Sequence, residues 1–194
     1  MVPQSLRRFR ERQPDAELQL TPATDLEQIE GFRSRRLCVQ YAENHTELDH
    51  IPVALQHVEL AVPKGHPLVK LKKLRLRDLA EASFMWFPRR EAPAVYDQLT
   101  REMFRGGLKS PRIIQESLNE ATTLSLVLHG TGVGWVNGTA RWRCPEGVAI
   151  MPVVDLDMPS PLALAWRRDD TSPLLANFIA EVQRLADVRA VKKG

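Results

Sequence analysis

The succession of hydrophobic patterns predicts an α/β fold, and three observations carry that expectation. Short apolar or alternating runs of strand length are interleaved with longer segments whose apolar residues recur every three or four positions. The breaks between them hold helix caps, glycines and prolines rather than long polar tracts. Hydrophobic residues make up 43% of the 194, enough to bury a core. A strand–helix–strand succession is also what a parallel sheet requires, since parallel neighbours need a crossover and a helix is the usual one.

From the start of the chain, residues 3–13 form an amphipathic helix with Leu6 and Phe9 inward. It stops at Gln13-Pro14, because proline disfavours α conformation in the residue before it. Residues 16–20 alternate as a strand, and Thr24 opens a second helix marked by Leu26, Ile29 and Phe32. Thr24 with Glu27 makes a capping box. Residues 37–41 and 53–62 read as strands, 74–79 as a short helix and 84–87 as a strand. Residues 94–104 form a helix with Val95, Leu99 and Met103 inward, ended by Gly106-Gly107. A strand at 112–115, a helix at 120–129 closed by Gly130, and a strand at 133–136 follow. Strands at 148–153 and 162–166 lead to a last helix announced by Ser172-Pro173, a cap residue and then proline at the first helical position. The proline-flanked stretch 155–161 is the one linker-like segment and is read as joining two lobes.

Charge and cysteine usage narrow the function classes. The chain has 27 Lys plus Arg against 24 Asp plus Glu, a formal charge of +3, and the cations are spread along it. A domain living on phosphate contacts would concentrate them. The two densest basic stretches, 7–12 and 64–77, read as solvated surface because apolar residues interleave with the charges. Cys38 and Cys144 lie in apolar surroundings without a CxxC or Cys/His cluster, which points away from zinc and from a disulfide scaffold and fits a reducing, cytoplasmic setting. There is no apolar signal region at the start and no run of 18 apolar residues, so neither export nor a membrane partner is expected.

Catalytic and cofactor chemistry finds little support. Gly130-Thr131-Gly132-Val133-Gly134 follows a helix and enters a strand, the reverse of a dinucleotide-binding loop, so it reads as a tight turn. The five histidines share no helix-face spacing and form no H-E-x-x-H, so no metal is expected. No G-x-S-x-G is present. The expectation is no enzyme and no cofactor.

Five segments in order carry a family resemblance: PQSLRRFRERQPDAELQL (3–20), EGFRSRRLCVQY (30–41), VELAVPKGHPLV (58–69), LRLRDLAEASFMWFP (74–88) and LVLHGTGVGWV (126–136). Over nearly the whole chain this resembles the effector-binding domain of a LysR-type transcriptional regulator. The resemblance implies two Rossmann-like lobes joined by two crossover strands, as in type 2 periplasmic binding proteins, with a small molecule in the cleft. Lobe I would comprise 1–61 and 158–194, its first strand missing, and lobe II 62–157. It also implies a homodimer or homotetramer whose geometry responds to ligand, and DNA binding only through a helix-turn-helix outside this chain, which alone is not expected to hold an operator.

Carried over position by position, the resemblance lines the effector site with Thr24 and Asp25, with Phe87, Pro88 and Arg89, with Asn119 and Thr122, and with Val136 and Asn137. Thr24 also reads as a helix cap alone, and Tyr96 as packing. A planar guanidinium suits a carboxylate, so Arg89 makes an organic acid the expected effector. Two features depart from the family. Cys38 stands where an aspartate is usual, and Arg35 or Arg36 where a glycine is. A stand-alone solute-binding protein and a truncated oligomerisation fragment without ligand are the alternative readings.

Overall fold

The computed structural model describes residues 2–17, 27, 31, 38–41 and 46–191. The expected second helix with its Thr24 cap lies outside the described residues, apart from Glu27 and Gly31, which are helical. Of the expected strand at 16–20, only Ala16 and Glu17 are described, and they are irregular. The chain divides into two compact units, Met1–Leu55 with Pro161–Gly194 (unit 1) and Gln56–Ser160 (unit 2). The sequence reading put these boundaries at 61/62 and 157/158. The chain crosses between units within two strands, β2 (Leu48–Pro63) and β7 (Pro159–Arg167).

In unit 1, helix α1 (Val2–Arg12) starts the chain and strand β1 (Cys38–Tyr41) pairs antiparallel with β7, Cys38 opposite Ala165. The terminal helix, Pro173–Val191, is capped by the Ser172 hydroxyl, which accepts from the Leu175 amide at 3.4 Å. Phe9, inward as its spacing predicts, meets Phe178 edge-on with ring centroids 5.2 Å apart. With Val53, Leu164 and Val182 these rings make the core of the unit. Glu181, 3% exposed, is held by Arg12 at 3.2 Å and by Arg184. A carboxylate so buried needs such partners to remain charged.

Unit 2 is built on a mixed sheet. Strand β3 (Ser83–Trp86) lies between β4 (Arg112–Glu116) and β5 (Val133–Asn137) and is parallel to both. Beyond β5, the second half of β2 runs antiparallel, and β6 (Val148–Met151) pairs antiparallel with β2 on its other side. The expectation of a parallel sheet therefore holds for three strands and not for β2 and β6. Helices α2 (Pro93–Arg105) and α3 (Glu120–Leu128) make the β3–β4 and β4–β5 crossovers.

Side-chain alternation sorts the sheet into two cores. Leu60 and Val62 of β2, Phe84 and Trp86 of β3, and Val133 and Trp135 of β5 pack with Leu99 and Met103 of α2. The residues between them, Ala61, Met85 and Val136, pack with Leu124 and Val127 of α3. The two helices thus cover opposite faces. The stretch read as joining two lobes, 155–161, contains the passage from unit 2 to unit 1 at Ser160/Pro161, but it is not a free linker: Leu156 and Met158 are buried in the first core and Pro159 already begins β7.

The glycine run at 130–134 is explained by backbone geometry. Gly130 ends α3 with φ +75°, the left-handed conformation a C-terminal cap requires. Gly132 passes so close to β3 that an added Cβ would collide with the Ser83 carbonyl oxygen. Gly65, by contrast, has open space at that position. Gly132→Ala is expected to destabilise by about 2–3 kcal/mol and Gly65→Ala by less than about 0.5 kcal/mol, compared by thermal unfolding of the two variants.

Candidate functional site

Because β3, β4 and β5 are parallel, the segments that follow them leave from one edge of the sheet in unit 2. The connections from β3 and β4 depart to opposite faces, through α2 and α3. A strand arrangement of this kind opens a crevice outside the carboxyl ends of the strands, where α/β proteins hold ligands.

After β3, Phe87 is half-buried and meets Tyr96 edge-on at 5.7 Å, while Pro88 is buried. Arg89 is exposed and carries the most defined geometry. Its Nε and Nη2 donate to the two carboxylate oxygens of Asp97 on α2, at 2.7 Å each. This hydrogen-bonded pairing raises the Arg89 pKa and holds the Asp97 carboxyl below the ordinary carboxylate range. A carboxyl depressed in the folded chain contributes above its unfolded value and loses that contribution as pH falls through the folded one. The tether therefore persists through neutral pH. Asp97 occupies one edge of the guanidinium, so Nη1 and the second hydrogen of Nη2 still face outward, a second edge suited to a carboxylate.

After β4, the Ser117 amide donates to the Trp86 carbonyl at 2.8 Å, joining the ends of β3 and β4. The Ser117 hydroxyl is buried against that of Thr123, 2.5 Å away. Asn119 caps α3, its Oδ1 accepting from the Thr122 amide at 2.9 Å. Glu120, the first residue of the helix, accepts from the Asn137 amide at 3.3 Å and from Arg143 Nε at 2.9 Å. At the end of β5, Ser160 donates to Asn137 Oδ1 at 3.4 Å, Thr139 donates to Gln56 at 2.8 Å, and Arg141 faces both oxygens of Glu59 at 2.7 and 2.6 Å.

Of the residues expected at the site, Phe87, Pro88, Arg89, Asn119, Thr122 and Asn137 fall on segments at this one edge. Val136 also ends a strand there, but its side chain is buried in the α3-side core at 5% exposure. Thr24 and Asp25 lie outside the described residues. The same end of the sheet also carries Gln56, Glu59, Ser117, Thr139, Arg141 and Arg143, which the sequence does not single out; Gln56 and Glu59 meet partners more than 80 residues away. Unit 1 has a groove of about 450 Å³ lined in part by His50, Ile51, Trp166 and Arg168. None of the expected site residues lines it, and Arg168 is committed to Asp49 at 2.9 Å. Among the described residues, no group of three or more His, Cys, Asp or Glu side chains is placed to hold a metal ion. No described helix is long and apolar enough to cross a membrane.

Comparison with known proteins places this geometry. The regulator IlvR of Caulobacter vibrioides, an HTH-type transcriptional regulator, is 29% identical over 193 residues, an alignment that covers 92% of this chain and 61% of IlvR. The chain thus spans less than two thirds of that relative's length. The effector-binding domain of QuiR in complex with shikimate superposes with a TM-score of 0.82 at 18% identity, covering 96% of this chain and 90% of that one. The BenM effector-binding domain with its effector benzoate gives 0.78 at 17% identity, covering 97% and 86%. These likenesses show the fold, that of type 2 periplasmic binding proteins. The family model described as the LysR substrate binding domain matches residues 1–187, and the chain belongs to that family of transcriptional regulators.

Proposed function

We propose that this chain is the effector-sensing module of a LysR-type regulator and that unit 2 holds the carboxylate of a small organic acid at the ends of β3 and β4. The observation that supports this reading most directly is Arg89. Its guanidinium is fixed along one edge by Asp97, which leaves the Nη1–Nη2 edge for a ligand, and the aromatic pair Phe87–Tyr96 lies on the same two segments, two residues before Arg89 and one before Asp97. A charged fork next to apolar rings suits a ligand with one carboxylate and a small carbon skeleton. The acids held by QuiR and BenM, shikimate and benzoate, are of that class.

In this reading the whole protein binds DNA through a helix-turn-helix part and works as a homodimer or homotetramer. The acid acts by preferring one arrangement of that assembly, which shifts its population by no more than the difference in affinity. Asp97 then serves as an orienter, because a guanidinium held in place loses less freedom on meeting its ligand.

Two outcomes follow. In a thermal-shift screen against small aromatic and alicyclic acids, at least one acid should raise the melting temperature saturably. Arg89→Ala should abolish that shift; an undiminished shift in this variant removes Arg89 from the site. Asp97→Asn should weaken the apparent affinity about 5- to 10-fold at pH 7, about 1 kcal/mol for an oriented charged contact, without loss of folding. Tighter binding in Asp97→Asn, measured by calorimetry, would show instead that Asp97 competes with the ligand.

A further inference from the structure

Between Lys64 and Arg77 lie six cations, Lys64, Lys70, Lys72, Lys73, Arg75 and Arg77, and all six are exposed. Their surroundings differ from those of several other exposed arginines in unit 2. Arg89, Arg90, Arg105, Arg141 and Arg143 each pair with a carboxylate within 4 Å. Along this strap of residues 64–77, the one ion pair among the described residues is Arg77 with Asp78, at 4.0 Å. The nearby acids are directed at the backbone: Asp78 accepts from the Arg75 amide and Asp155 from the Leu76 amide, each at 2.9 Å. The strap is also held in one conformation. Leu68, Leu74, Leu76 and Leu79 are buried in the core beneath it, His66 accepts from the Leu68 amide at 3.2 Å, and the Leu74 carbonyl accepts from the Val154 amide at 2.9 Å.

We infer that this strap is a sequence-independent contact surface for the phosphate backbone of duplex DNA. The inference rests on the reading of the chain as part of a DNA-bound regulator, and it concerns backbone contact rather than operator recognition. Unpaired, pre-placed cations gain from releasing the counterions of a polyphosphate, and little ordering entropy is lost in doing so. The composition favours DNA over a protein partner: four of the six cations are lysines and no aromatic lies between them, whereas protein interfaces deplete lysine and anchor on Trp, Tyr and Arg. It also disfavours a lipid surface, since Leu71, 40% exposed, is the one large apolar side chain exposed along the strap.

The test is fluorescence anisotropy of a labelled random-sequence duplex of about 30 base pairs, titrated with the 194-residue chain. Saturable binding at 50 mM salt is expected, weakening about 10²- to 10³-fold by 200 mM, as four to six phosphate contacts require. Lys72→Glu/Lys73→Glu should weaken binding at least about 10-fold, while Arg7→Glu/Arg10→Glu, the same change of net charge on α1, should change it less than about 2-fold. Absence of binding at 50 mM, or equal losses in both variants, overturns the inference. So does displacement of the duplex by polyglutamate at lower charge concentration than by unlabelled DNA, which would assign the strap to an acidic protein. The acid-induced thermal shift separates the two proposals. If the shift is intact and no DNA binds, only this inference fails; if DNA binds through the strap and no acid shifts the protein, only the effector reading fails.

Discussion

Burial of both faces of β3 is the constraint on which the rest of unit 2 depends. Phe84 and Trp86 point to one side and Met85 to the other, and all three are nearly inaccessible. A strand buried on both faces must be covered twice, so the crossovers to β4 and to β5 cannot share a side. From this follows the placement of α2 and α3, the divergence of the segments after β3 and β4, and the crevice between them. The close passage of Gly132 belongs to the same constraint, since β5 must lie directly against β3 for the two cores to close.

Charge is divided unevenly across the candidate site. Glu120 sits in the first turn of α3, where a carboxylate interacts favourably with the helix dipole, and it is further engaged by Arg143 and the Asn137 amide. Arg141 and Glu59 are matched in the same way. The β5 side of the crevice is therefore internally compensated and offers an incoming anion little net attraction. On the β3 side, Arg89 meets a single carboxylate along one edge of a guanidinium that has two.

What was legible in the sequence was local. Phe9, Leu99 and Met103 were assigned to buried faces by spacing, and they are buried because helical period and core direction coincide. Gly130 was legible as the end of α3 because capping is chemistry within four residues, whereas Asn119 entered through the resemblance and its capping of α3 was not read. Strand polarity was not: an alternating run reads the same in either direction, so the antiparallel entry of β2 beside β5 left no trace in the pattern. The inward direction of Val136, a residue expected at the site from the resemblance, was hidden as well: Gly134 supplies no side chain to mark the α3-facing register of β5, and Val136 continues that register into the core. The partners of Arg89, Arg141 and Thr139 lie 8, 82 and 83 residues away, separations for which no periodic rule exists.

The strap from Lys64 to Arg77 shows backbone capture of nearby carboxylates. Its conformation needs an acceptor for the Arg75 and Leu76 amides, which start a 3-10 turn and have no partner within it. Asp78 and Asp155 fill that need. Each of these carboxylates thus commits an oxygen to the backbone, and of the strap's cations Arg77 alone has a carboxylate of the described residues within 4.0 Å, that of Asp78. Elsewhere in the unit Glu102 and Glu120, which extend from helices, pair with Arg105 and Arg143. The stretch itself holds six cations and no acidic residue, so its excess of charge is legible in the sequence, whereas the turning of Asp78 and Asp155 toward the backbone is not.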